Sequence, residues 1–201
     1  MHNKGLKVIV DGVFNHVGRD FFAFKDLQEN KENSIYKDWF VNVDFSQSRP
    51  HGDSLSSHSR TPHSHLVKLN LKHNDVVNHL LSAVNFWIDT FEIDGIRLDC
   101  ADVLDFDFMA SLRTFCEHKK EDFWLLGEVI HGDYFNWANN ERLHSTTNYE
   151  CYKGLFSSHN DKNMFEIAFS LDREFNIEKG IYKDIYLYNF TDNHDVNRLA
   201  R

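Results

Sequence analysis

The chain has 201 residues, of which 41% are hydrophobic and 14% aromatic, so it can bury a sizeable core and is not a disordered chain. Its formal charge of −9 is the wrong sign for a surface that neutralises phosphates, so we expect no nucleic-acid partner. The three cysteines, Cys100, Cys116 and Cys151, lie far apart. Their number and spacing argue against a disulfide framework or a four-cysteine zinc site and indicate a reducing compartment.

Two further features of the sequence concern its location. No apolar run approaches the roughly 20 residues that a membrane-spanning helix needs, so we expect no membrane partner. Residues 1–5 contain no apolar leader segment of the kind found in secretory signals. We therefore predict a cytoplasmic location.

Short apolar segments alternate with longer amphipathic ones along the first half of the chain. Residues 6–11 form a β-branched run, which predicts a strand ending on a carboxylate. Residues 95–99 predict a second strand, and residues 106–118 predict a helix. Between these strands, residues 76–91 predict a longer helix, because apolar side chains recur at steps of three and four: Val77, Leu80, Leu81, Val84, Ile88 and Phe91.

The second half continues the alternation. Residues 123–128 predict a third strand, which ends on a carboxylate, and residues 146–151 predict a weaker strand. Residues 163–175 predict a helix, and residues 185–190 predict a final strand with a histidine and acids just beyond it.

Strands alternating with helices are typical of parallel βαβ units, whose strand carboxyl ends open on one face. Residues 17–72 break the alternation and are too long for an ordinary loop, so we predict a small inserted domain there. The rest suffices for about five units of roughly 30 residues, fewer than a closed barrel requires. We predict an α/β fold, a partial (β/α)8 TIM barrel, with the catalytic domain in residues 1–16 and 73–201.

The candidate chemistry lies at the predicted strand ends. Arg97 and Asp99 are two positions apart on one strand and point to the same side, where the guanidinium favours the ionised acid that a nucleophile must be. Glu128 ends an apolar strand, and partial desolvation would favour its protonated form, which suits a proton donor. Two carboxylates with opposed environments are what glycoside hydrolysis requires.

Each residue also has a simpler interpretation when taken alone. Arg97 and Asp99 are equally typical of a structural ion pair, Glu128 of a solvated acid, and Asp195 of a helix cap. Their joint placement at successive strand ends favours the catalytic interpretation.

A metal-dependent hydrolase is a rival class. His63 and His65 form a His-x-His pair inside a stretch rich in histidine and serine. Barrel hydrolases place such a pair at the end of a strand, and the sequence predicts no strand before this one. The alternative explanations of the stretch are adventitious zinc binding and a locally corrupted reading frame.

Four short segments together resemble the signature regions of the α-amylase family, glycoside hydrolase family 13, and they occur in the same order. They are residues 11–16 (DGVFNH), 95–99 (GIRLD), 127–129 (GEV) and 190–195 (FTDNHD). In that family the four regions follow barrel strands three, four, five and seven. The resemblance therefore implies that the chain covers about strands 3 to 7, with the inserted domain after strand 3.

The resemblance implies retaining hydrolysis of α-linked glucans, an α-glucan oligosaccharide as substrate and no required cofactor. By this resemblance Asp99 is the nucleophile, Glu128 the acid/base and Asp195 the acid that stabilises the transition state, with the carboxyls of Asp99 and Glu128 about 5 Å apart. The resemblance also implies five substrate-binding residues. Arg97 also orients Asp99, His16 and His194 contact the sugar, Asp11 supports them, and His131 is the fifth.

Finer features resemble one branch of that family. Residues 66–70 (LVKLN) and the pair Glu128 and His131 look like the neopullulanase and cyclomaltodextrinase members, which implies α-1,4-glucose oligomers, cyclodextrins or α-1,6 branches as substrates.

Asn15 matches a family calcium ligand, although residues 102–103 lack the Lys-His pair that many members carry. There are two alternatives to glucan hydrolysis: glucosyl transfer with the same three acids, and an inactive truncated product.

Overall fold

The computed structural model describes residues 1–45 and 66–199. The strands of these residues are β1 (Ile9–Gly12), β2 (His16–Gly18), β3 (Leu66–Lys68), β4 (Gly95–Leu98), β5 (Trp124–Gly127), β6 (Ser145–Thr147) and β7 (Tyr186–Tyr188). Five of them form one parallel sheet in the spatial order β1-β4-β5-β6-β7, and β2 and β3 form an antiparallel pair.

Helices connect the parallel strands on one side of the sheet. The described residues form α1 (Phe22–Asn30), α2 (Asn74–Phe91), α3 (Phe106–Lys119), α4 (Tyr149–Asn160) and α5 (Phe165–Phe175). Helix α2 precedes β4, α3 joins β4 to β5, and α4 and α5 lie between β6 and β7. This arrangement is part of a parallel β/α barrel, as the sequence predicts. None of the described helices is long and apolar enough to cross a membrane.

The face of the sheet that carries the helices is apolar and buried. Ile96, Leu98 and Leu125 are fully buried there and share one core with Val84 of α2 and Leu112 of α3. Burying a side chain of this size stabilises the fold by about 1.5–3 kcal/mol. Because side chains alternate along a strand, the residues between them point to the opposite, inner face, which carries the polar groups described below.

The inserted segment is partly described. Strands β2 and β3 pair in antiparallel register, with His16 opposite Lys68 and Gly18 opposite Leu66. Helix α1 buries Phe24 and Leu27 in the core that the barrel helices also share. Residues 46–65, which include His63 and His65, lie outside the described residues. The boundaries of the insertion at 17 and 72 stay a prediction.

Several predicted elements differ from the structure. Residues 146–151 are not one strand: β6 ends at Thr147, and the Asn148 side chain accepts a hydrogen bond from the Cys151 backbone N–H, so that α4 begins. Helix α4 was not predicted. Phe91, expected on the buried face of α2, is 59% exposed. Val76, which the predicted face did not include, is buried at the other end of the helix.

A buried carboxylate ties the amino-terminal end of the barrel together. Asp94 precedes β4, and its side chain is only 5% exposed. It accepts hydrogen bonds from Lys120 Nζ (2.7 Å), the Val8 backbone N–H (2.6 Å) and His2 Nε2 (2.8 Å). Burial by itself would raise the pKa of Asp94, but these hydrogen bonds outweigh it and hold the pKa well below the ordinary value.

Asp94→Asn should therefore destabilise the fold by about 3 kcal/mol at pH 7, because it leaves buried cationic and N–H donors without their charged acceptor. The stabilising contribution of Asp94 is present above its unfolded pKa of about 4 and is lost as the pH falls toward its lower folded pKa. Urea unfolding at pH 7 and pH 3 measures this, and the difference between variant and wild type should shrink at pH 3. The exposed Asp122→Asn is the control. Equal stability of the Asp94 variant at pH 7 would contradict the prediction.

Candidate active site

Acidic side chains from neighbouring strands meet at the carboxyl end of the sheet. Asp11 in β1 lies opposite Arg97 in β4, and Asp99 and Glu128 follow β4 and β5 directly. The backbone ladder continues into these two residues: the Asp99 N–H donates to the Gly12 oxygen (3.1 Å) and the Glu128 N–H to the Leu98 oxygen (2.9 Å). The continued ladder holds both carboxylates on a rigid part of the fold.

Arg97 is the cation of this cluster. Its Nη2 lies 2.9 Å from Glu128 Oε1, and its Nη1 lies 3.0 Å from Asp11 Oδ1 and 3.4 Å from Asp99 Oδ1. Burial would lower the pKa of Arg97, but the charges of Glu128, Asp11 and Asp99 raise it above its ordinary value. The expectation that the guanidinium serves Asp99 is therefore incomplete: it contacts three carboxylates, and its contact with Glu128 is the shortest.

The surroundings of Glu128 also differ from the prediction. Its side chain is 10% exposed, as expected for the end of an apolar strand. It is nevertheless paired with Arg97, and its Oε2 accepts a hydrogen bond from the Cys100 backbone N–H (3.0 Å). Glu128 is therefore a buried carboxylate that contacts two donors, Arg97 and the Cys100 backbone N–H.

Cys100 touches both carboxylates. Its thiol donates a hydrogen bond to Asp99 Oδ2 (Sγ···O 2.8 Å), while its backbone N–H serves Glu128. One carboxylate oxygen of Asp99, one of Glu128 and the Cys100 Sγ all lie within 4.8 Å of one another. Sequence reasoning missed Cys100, and its position next to Asp99 was the only signal that pointed to it.

The loop after β7 forms another part of the rim. Asp195 is 53% exposed, and one of its carboxylate oxygens lies 3.1 Å from His194 Nε2. Asn193 fixes the loop: its Oδ1 accepts from the Asp195 N–H (2.8 Å), and its Nδ2 donates to the Tyr149 hydroxyl (3.1 Å). Burial raises the pKa of Tyr149, and the charges of Glu128 and Asp195 add to this rise against the hydrogen bond from Asn193. The pKa of Tyr149 is thus raised by acids that follow two different strands, β5 and β7.

A cavity of about 370 Å³ on the inner face joins the two parts of the site. Asp11 and Arg97 line one side, and Asn193 and His194 line the other. Leu126 and Tyr188 supply apolar surface between them. Asp99, Glu128 and Asp195 are not among the lining residues, so this cavity lies beside the acid pair and not on it.

Two histidines with predicted sugar contacts lie apart from this cluster. Within the described residues, no hydrogen bond or ion pair joins His16 or His131 to Asp99 or Glu128. His131 is exposed. Partial desolvation raises the pKa of the exposed Asp102 above its ordinary value, and the nearby His131 acts against this rise. His16 lies at the start of β2, where its Nδ1 is 3.3 Å from Asn15 Nδ2.

Asn15, the predicted calcium ligand, has one feature that fits a metal. Its Oδ1 is buried without a hydrogen-bond partner. Calcium takes six to eight oxygen ligands, of which this atom is one. Among the described residues, however, the only group of three His, Cys, Asp or Glu side chains close enough to share an ion is Asp99, Cys100 and Glu128. Asn15 thus offers one unpaired oxygen to a calcium shell, and no group of three acidic side chains lies beside it among the described residues.

The fold and the site together define a class: a parallel β/α barrel with paired carboxylates and an arginine at the carboxyl ends of its strands. The family model "Alpha amylase, catalytic domain" matches residues 1–201. The chain belongs to the α-amylase family, and the resemblance drawn from its four short segments is confirmed.

Two curated relatives and one solved structure illustrate the kinship. The chain is 33% identical to a cyclomaltodextrinase from Geobacillus thermopakistaniensis and 30% identical to neopullulanase 2 from Thermoactinomyces vulgaris, in each case over 98% of this chain and 33% of the relative. A solved cyclomaltodextrinase structure matches with a TM-score of 0.83 at 29% identity, over 98% of this chain and 34% of that one. The chain thus spans about a third of the length of these relatives.

Proposed function

We propose that this chain carries the active site of a retaining glycoside hydrolase that acts on α-linked glucans through a covalent glycosyl-enzyme intermediate. The observation that carries the proposal is the distance within the acid pair: one oxygen of Asp99 lies within 4.8 Å of one of Glu128. Retaining glycosidases hold their two carboxyls about 5–5.5 Å apart, whereas inverting enzymes need roughly 6.5–9.5 Å to admit a water between them.

The proposed reaction uses groups that already touch one another. Asp99, held beside Arg97, attacks the anomeric carbon while Glu128 protonates the leaving oxygen. Glu128 then removes a proton from the incoming water, which displaces Asp99 from the sugar. Arg97 keeps a positive charge between the acids at every stage, because its pKa lies above the ordinary value.

The rim residues take the supporting roles. Asp195, on its Asn193-held loop, stabilises the positive charge that develops on the sugar in the transition state. His194 and Asp11 line the same cavity and bind sugar hydroxyls there. His16 and His131 remain proposed substrate contacts at the edge of the site. Asn15 remains the proposed ligand of a calcium ion, to which it would supply its orphaned oxygen.

The proposed substrates are α-1,4-linked glucose oligomers, cyclodextrins and chains with α-1,6 branches. The names of the relatives support this range, because they include a cyclomaltodextrinase and a neopullulanase. A cytoplasmic location is proposed on the three cysteines, which are all free thiols.

Proton NMR of the first product tests the proposal. The chain is incubated with maltooligosaccharides and, separately, with a cyclodextrin, and the new reducing end is followed before it mutarotates. We expect the α-anomer to appear first. The β-anomer would contradict a retaining mechanism, and the absence of any product would identify this chain as an inactive piece.

Two further readouts separate the rival functions. Products longer than the starting oligomer would indicate glucosyl transfer in place of hydrolysis. Activity that a strong chelator abolishes and zinc restores would favour the metal-dependent hydrolase, whose His63 and His65 lie outside the described residues.

A further inference from the structure

We propose that Cys100 is a positioning residue that holds the two reacting carboxylates in register, with its thiol on Asp99 and its backbone N–H on Glu128. The inference rests on the proposed function and deepens it by assigning a role to the residue after the nucleophile. Both contacts come from one residue, so a shift of Cys100 moves both acids.

The backbone at Cys100 explains how one residue reaches both acids. Its φ and ψ are 45° and 44°, the left-handed conformation that costs a non-glycine residue roughly 1 kcal/mol. This turn ends β4 and starts the short helix Ala101–Val103. It folds the thiol back onto the preceding residue and aims the N–H across to the next strand. The strained conformation is thus the one that makes both hydrogen bonds.

Ala101, the residue after Cys100, packs the turn against β5 at Gly127. Gly127 precedes Glu128, and a Cβ at Gly127 would lie 3.0 Å from the Ala101 Cβ and 2.4 Å from Leu143 Cδ1. The absence of a side chain at Gly127 therefore lets the turn pack closely on β5, which brings the Cys100 N–H within reach of Glu128.

The thiol has a fixed role as donor in this site. A carboxylate only accepts hydrogen bonds, so the S–H must donate to Asp99. Burial, the hydrogen bond to Asp99 and the charges of Asp99 and Glu128 together raise the pKa of Cys100 to about 12. Cys100 therefore stays a neutral thiol near pH 7 and keeps donating.

The thiol also distinguishes the two oxygens of the nucleophile. Oδ2 of Asp99 is held by Cys100 at 2.8 Å, whereas Oδ1 has only the longer 3.4 Å contact with Arg97. Oδ1 is the less tightly held oxygen, and we assign to it the bond with the anomeric carbon. Cys100 thereby keeps the carboxylate from rotating away from the sugar.

Thiol alkylation tests the contact without any need for activity. Peptide mass spectrometry measures the rate at which iodoacetamide modifies each cysteine at pH 9, in wild type and in Asp99→Asn. Removing the negative acceptor should speed the alkylation of Cys100 at least fivefold. The buried Cys151 is the internal control and should change less than twofold. An unchanged Cys100 rate in a folded variant would overturn the contact.

Two substitutions test the role in catalysis. Cys100→Ala removes the donor and should lower kcat about tenfold with KM within twofold. Cys100→Ser restores a donor and should recover most of the loss. A merely structural role would change kcat and KM together and give no rescue by serine, and that result would overturn the proposal. A wild-type chain without glucan hydrolysis would instead count against the proposed function, while the alkylation result would still decide the contact.

Discussion

Asp99→Asn and Glu128→Gln are each expected to lower the hydrolysis of maltooligosaccharides at least 10³-fold. The nucleophile and the acid/base act as a unit, so the loss of either removes nearly the whole effect of the pair. The exposed Asp122→Asn and Glu121→Gln are isosteric controls and should keep wild-type rates. A variant of Asp99 or Glu128 with more than a tenth of the wild-type rate would contradict the assignment.

Glu128→Gln and Asp99→Ala should give different products when the substrate has an activated aryl leaving group. Such a group departs without protonation, so Glu128→Gln should still form the covalent intermediate, and added azide should intercept it to give the α-glucosyl azide. In Asp99→Ala no intermediate forms, and azide attacks from the face that the missing carboxylate vacates, which gives the β-glucosyl azide. Identification of the two products by NMR assigns each role separately. Identical azide products from both variants would contradict the division of labour between Asp99 and Glu128.

The barrel strands were predictable because their chemistry is local. The runs before Asp11, Asp99 and Glu128 are apolar and end on a charge, which is the pattern of a buried parallel strand whose end opens on a functional rim. The structure aligns these three strands as neighbours, so acids remote in sequence gather at one rim. Asp195 lies further from its strand than the sequence predicts, because β7 ends at Tyr188 and Asn193 holds the loop that carries Asp195.

The boundary between β6 and α4 was not predictable from periodicity. Residues 146–151 contain threonines and a tyrosine, which favour a strand, but Asn148 is fully buried and caps a helix instead. Its Nδ2 donates to Glu174 of α5 and to Asn189 beyond β7. These long-range hydrogen bonds, which no local pattern encodes, decide where the strand stops.

The role of Cys100 was hidden for a similar reason. Left-handed backbone conformations are normally signalled by glycine or asparagine, and neither occurs at this position. The conformation is imposed by contacts that form only when β4 and β5 are paired. Likewise, sequence spacing placed Arg97 beside Asp99, whereas the strand register brings its guanidinium closer to Glu128.

Arg97→Met should have the second large effect, on activity and on stability together. The side chain of Arg97 is 18% exposed, and its removal leaves three carboxylates facing one another without a cation. We expect glucan hydrolysis to fall about 10³-fold. The free energy of unfolding at pH 7 should fall by about 2 kcal/mol, below the range for breaking a fully buried ion pair because the site is partly open.

A variant that keeps the charge separates this charge effect from a loss of packing. Arg97→Lys is the matched control: a single ammonium restores the charge but not the fork that reaches Glu128 and Asp11 at once. It should recover most of the stability and little of the activity. Urea unfolding at pH 7 measures the first quantity, and kcat/KM on maltooligosaccharides measures the second. An Arg97→Lys variant as unstable as Arg97→Met would show that Arg97 acts through its packing and not as the shared cation of the site.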